Sequence, residues 1–102
     1  MFARQNIIEA VNKLITSAHA GGLPIEKVLL FGSYAKGTPH KFSDIDLALF
    51  SSKFVENPHK NIELIQCAER LPQMQLHLYT LADFYDHPFV VEIKSHAILL
   101  KS

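Results

Sequence analysis

The 102-residue sequence has one cysteine, no surplus of either charge and no long apolar run. A single cysteine, Cys67, forms no internal disulfide, which suits a reducing cytoplasm and makes that the expected location. Lys plus Arg number 10 and Asp plus Glu number 10, so the formal net charge is +0. A general nucleic-acid binder needs a basic surplus to displace counterions, so none is expected. A small anionic ligand held by a few local groups is compatible with this balance. The apolar runs are too short to span a membrane. The opening "MFARQNII" lacks a basic stretch followed by a long apolar one, so no signal peptide is expected. Repeats, low-complexity tracts and domain linkers are missing too. With 48% hydrophobic and 20% charged residues, the chain reads as one soluble domain over residues 1–102 with a modest core.

What is present is a clear order of elements. Residues 3–20 carry Ile7, Ile8, Val11, Leu14, Ile15 and Ala18 at helical spacing, and Gly21-Gly22 with Pro24 stops that helix. "IEKVLLF" (25–31) ends in a continuous apolar run, as in a strand covered on both faces. "GSYAKGTP" predicts a turn with one helical turn in it, and "DIDLALF" (44–50) a second strand. Asn57-Pro58 predicts a helix start, and Pro72 its end. "QMQLHLY" (73–79) alternates as a half-buried strand does. Thr80 and Asp83 have the form of a capping box, "PFVVEI" (88–93) fits helix or strand, and "AILL" (97–100) predicts a last strand. The fold class expected is α/β (α+β): a small mixed β-sheet with helices packed on one side.

The chemistry concentrates in "LLFGSYAKGTPHKFSDIDLALF" (29–50). Gly32 directly follows a buried strand, where a glycine lets backbone approach a ligand closely. The helix start after it offers free N–H groups, Ser33 adds a hydroxyl and Lys36 a nearby positive charge, a combination suited to phosphate. After ten intervening residues, Ser33 is followed by Asp44 and Asp46, which share one face of a strand while Ile45, Leu47 and Leu49 share the other. Paired carboxylates repel at neutral pH unless a cation lies between them. Magnesium is typically held by one or two carboxylates together with substrate phosphates. Either half alone reads more simply as a surface turn or a strand edge; together they favour a metal–nucleotide site. The P-loop and the dinucleotide fingerprint are both absent.

"GSYAKG" followed by "SDIDL" resembles the Gly-Ser and Asp-x-Asp signature of the DNA polymerase β-type nucleotidyltransferase superfamily. In length the chain resembles its minimal nucleotidyltransferases (MNT), many of which are antitoxins paired with HEPN toxins. The later "LYTLADF", "HPFVVEI" and "AILL" look like the C-terminal segment of that family. The resemblance implies that Gly32 and Ser33 hold the β- and γ-phosphates, with Lys36 assisting, and that Asp44 and Asp46 ligate Mg²⁺, or Mn²⁺. It implies transfer of a nucleoside monophosphate, AMP from ATP most often, to an acceptor hydroxyl. In the antitoxin branch the acceptor can be the partner toxin. It also implies a lone catalytic half with an open cleft, hence a helical HEPN-type partner or a homo-oligomer.

The chain departs from this pattern at the third acid, which the family carries on a neighbouring strand. "MQLHLYT" offers Gln75, His77 and Tyr79 instead, and the best placement puts His77 at that position. Neutral imidazole is a poor magnesium ligand and a fair one for manganese or zinc. The readings that follow are an active transferase with His77 as substitute ligand or base, a catalytically weak nucleotide-binding antitoxin, or an interaction domain that keeps only the fold. The other histidines, at 19, 40, 59, 87 and 96, form no metal spacing and are read as structural or surface residues. Tyr34 and Phe42 flank the motif, with packing the expected role for Phe42. Asp83 is read as a cap.

Overall fold

The computed structural model describes residues 2–54 and 73–102. The helix expected from Pro58, with Cys67 in it, lies outside the described residues.

Helix α1 (Arg4–Ala20) forms because its apolar residues recur every three to four positions, so that Ile7, Ala10, Val11, Leu14 and Ala18 are all buried along one stripe. Its end is set by backbone chemistry. Gly22 adopts φ 84, where a side chain would be strained, and the Gly22 and Leu23 amides donate to His19 and Ala18 carbonyls at 3.0 and 2.9 Å. This is a Schellman closure of the orphan carbonyls. Strand β1 (Lys27–Phe31) follows, then the four-residue helix α2 (Ser33–Lys36), then strand β2 (Ile45–Phe50). Strand β3 (Met74–Tyr79) leads to the short helices α3 (Asp83–Asp86) and α4 (Pro88–Ile93) and to strand β4 (Ile98–Lys101).

The strands form one mixed sheet in the order β3-β2-β1-β4. Strands β1 and β2 are antiparallel, as are β1 and β4, while β2 and β3 run parallel. The two strands in the middle, β1 and β2, are the apolar ones. Their alternation sends Val28, Leu30, Ile45, Leu47 and Leu49 to the face covered by α1. Leu30, Ile45, Leu47 and Leu49 are each 0% exposed. Each such side chain contributes about 1.5–3 kcal/mol by leaving water.

Leu29, Phe31, Ala48 and Phe50 point the other way and pack with Val90 and Ile93 of α4. The sheet and its main helix are as the sequence predicts. The expectation that helices pack on one side needs correction, because α4 covers part of the second face. "PFVVEI" is too short for its periodicity to decide between helix and strand. It becomes a helix because Pro88 starts it, His87 caps it by accepting from the Phe89 N–H, and positions 90 and 93 meet the sheet.

Candidate active site

Register builds the site. In the antiparallel pair Phe31 faces Asp46, so the end of β1 and the start of β2 lie side by side. Gly32, the next residue after Phe31, therefore falls against the Asp46 side chain. A Cβ on Gly32 would collide with Asp46 Oδ2 and lie 3.3 Å from Asp46 Cγ. Gly32 also has φ 73 and ψ −154, a conformation open to glycine and hardly to any other residue. The turn and the carboxylate strand thus meet at the predicted place.

Gly32 caps α2, and its carbonyl accepts from the Ala35 and Lys36 amides, both at 3.1 Å. Its own N–H donates to His96 Nε2 at 3.2 Å. The donors left for a ligand are the Ser33 and Tyr34 amides, which have no hydrogen-bond partner among the described residues. Ser33 Oγ lies beside them in sequence. Lys36 is exposed at the end of α2 and makes no ion pair among the described residues. Tyr34 is buried, with its hydroxyl accepting from the Phe2 N–H at 3.2 Å, so it is a packing residue. Phe42 is 74% exposed, which overturns the expected packing role. It sits in a loop pinned at its ends by Ser43, whose Oγ accepts from the His40 N–H, and no core wall reaches it.

The two aspartates differ. Asp44 precedes β2 and is exposed. Asp46 stands on the sheet face otherwise formed by Phe31, Ala48 and Phe50. Burial there pushes its carboxyl above the ordinary 3.8, the charge of Asp44 pushes the same way, and the neighbouring His77 opposes both. His77 Nε2 lies 3.7 Å from Asp46 Oδ1, within ion-pair reach when the imidazole is protonated and too long for a hydrogen bond.

Across the parallel pair, Asp46 is opposite Gln75, and His77 is opposite Ala48. The His77 ring leans back towards Asp46 over Phe31, its centroid 5.2 Å away. Its Nε2 is covered and has no hydrogen-bond partner among the described residues. No group of three His, Cys, Asp or Glu side chains among the described residues is arranged to hold a metal ion. Two carboxylates without a thiolate are nevertheless a donor set for a hard cation that completes its shell with phosphate and water. The close fit of Asp46 against Gly32 would put such a cation next to the turn's free donors.

A family model, the nucleotidyltransferase domain, matches residues 7–100. The chain belongs to this family. Solved structures share the fold. One is a nucleotidyltransferase-type protein from Sulfolobus solfataricus, 16% identical, with a TM-score of 0.63 over 92% of this chain and 78% of that one. Another is a toxin–antitoxin complex crystallised with AMP-PNP, 20% identical, TM-score 0.56, over 91% of this chain and 71% of that one. A third is a variant of the toxin–antitoxin pair MntA–HpeT with two Asp→Glu substitutions, 22% identical, TM-score 0.60, with the same coverage of 91% and 71%. No curated protein matches by sequence.

Within this nucleotidyltransferase domain the structure brings together Gly32, Asp46 and His77, with Ser33 and Asp44 adjacent in sequence. It also adds His96, which no motif or spacing assigns to this place. Its contact with Gly32 spans 64 residues and carries no local signature.

Proposed function

We propose that the chain transfers a nucleoside monophosphate, AMP from ATP, to an acceptor hydroxyl. The observation that carries this is the register of Phe31 with Asp46, which sets the Gly32–Ser33 turn against the Asp46 carboxylate, two residues after Asp44. In this reading the Ser33 amide and hydroxyl bind the β- and γ-phosphates, and Lys36 neutralises part of their charge. Asp44 and Asp46 hold a divalent cation, Mg²⁺ or in its place Mn²⁺, whose chemistry is to offset phosphate charge and polarise the α-phosphorus. The acceptor oxygen forms a bond to the α-phosphorus, the bond to the β-phosphate oxygen breaks, and pyrophosphate leaves. His77 Nε2, unpartnered beside Asp46, takes the acceptor proton after a ring rotation. The likeness to toxin–antitoxin structures supports an antitoxin role. In this reading the acceptor lies on the partner toxin, and the resemblance noted in the sequence makes that a helical HEPN-type protein.

A second reading has its own observation. With no third carboxylate grouped with Asp44 and Asp46 among the described residues, the protein binds nucleotide and turns over weakly or not at all. Label transfer from α-labelled ATP to a co-expressed partner decides between them. The transferase reading predicts label on the partner, lost in Asp46→Asn and increased in His77→Asp, which restores the family's third acid. Bound ATP with no transferred label, in wild type and His77→Asp alike, would leave the binding reading.

A further inference from the structure

Among the described residues, the contact between Gly32 and His96 is one that the nucleotide reading leaves unexplained. Gly32 holds a conformation that few residues adopt, and something must fix the peptide plane that enters it. That plane is fixed by a hydrogen bond from the Gly32 N–H to His96 Nε2 at 3.2 Å. An imidazole nitrogen accepts only when it carries no proton, so this bond requires the His96 tautomer with its proton on Nδ1. Ser95 Oγ lies 3.5 Å from Nδ1, on the side where that proton is. The backbone that carries the ring is anchored. The His96 N–H donates to the Ile93 carbonyl at 3.1 Å, at the end of a helix whose Val90 and Ile93 are buried against the sheet.

This arrangement divides the work of the turn. The Gly32 N–H is occupied and is not a phosphate donor; the Ser33 and Tyr34 amides are the ones left open. The acceptor chosen is also the right one for the place. A carboxylate would hold the amide equally well but would repel a triphosphate beside it, whereas a neutral imidazole holds it without adding negative charge.

We propose that His96 is a positioning residue of the phosphate turn, holding the Gly32 amide through Nε2 so that Ser33 presents its donors to a triphosphate. The inference rests on the nucleotide reading above. It is tested by titrating wild type, His96→Leu and His96→Gln with Mg·ATP in a calorimeter. In parallel, the ¹⁵N spectrum of the wild-type imidazole is recorded. Gln keeps an acceptor near the position of Nε2, and Leu does not.

The expected result is an Nδ1–H tautomer, a loss of about tenfold in ATP affinity for His96→Leu, and recovery to within about threefold in His96→Gln. Unchanged affinity in His96→Leu would overturn the proposal, as would equal losses in Leu and Gln or a proton found on Nε2. Tighter binding by His96→Leu would also overturn it, because a ring that gains the protein affinity when removed competes with phosphate. If wild type itself fails to bind Mg·ATP, the nucleotide reading falls and this inference with it. A wild type that binds while His96→Leu is unchanged removes the inference alone.

Discussion

Asp46 shows at the scale of one residue how the site works against the fold. It is a carboxylate on a face of buried Phe31, Ala48 and Phe50, and that burial raises its pKa above 3.8. A carboxyl with a raised pKa binds more protons folded than unfolded in the range above 3.8, so its contribution makes stability fall as pH rises through that range. Asp46→Asn removes both the buried charge and the repulsion from Asp44. It is expected to raise the melting temperature at neutral pH and to flatten its dependence on pH in the range above 3.8, while abolishing metal-dependent nucleotide binding. A lower melting temperature would contradict this account. Gly32 makes the complementary case. In Gly32→Ala the added Cβ meets the Asp46 carboxylate, and φ 73 with ψ −154 strains any side chain. The expected cost is at least about 1 kcal/mol in urea unfolding, together with loss of ATP binding.

At the scale of elements, legibility followed the length of the pattern. Helix α1 was readable because its stripe repeats over 17 residues, and β1 and β2 because their apolar runs are bounded by glycine and by the aspartate pair. The Thr80–Asp83 box was readable as a motif and forms as read. The Thr80 amide donates to Asp83 Oδ2 at 3.0 Å and the Asp83 amide to Thr80 Oγ1 at 3.3 Å. Replacing Asp83 with Ala should cost about 1 kcal/mol in thermal or urea unfolding and leave nucleotide affinity unchanged, since the box lies away from the turn. Helix α4 was not decidable from six residues, because an apolar stretch that short fits either period until tertiary contacts select one. The same limit hid His96. Its role comes from a contact between the end of α4 and the end of β1, and no spacing within "KSHAILL" encodes that. Phe42 departs from the packing role expected of an aromatic beside a motif because the loop carries it away from both clusters.

At the scale of the whole molecule, three distant stretches converge on one end of the sheet. The N-terminus ties to α2 through Phe2 and Tyr34, the C-terminal turn ties to Gly32 through His96, and β2 supplies Asp46. No helix among the described residues is long and apolar enough to cross a membrane. With a formal net charge of +0, the proposed affinity for a triphosphate would have to come from local donors and from a cation held by the carboxylates rather than from a general positive field. The most direct measurement is therefore calorimetric titration with ATP, with and without Mg²⁺, of wild type, Asp44→Asn and Asp46→Asn. The account predicts binding by wild type that requires the metal, weakened at least about tenfold by either substitution. Metal-independent binding, or binding unchanged in Asp46→Asn, would contradict it.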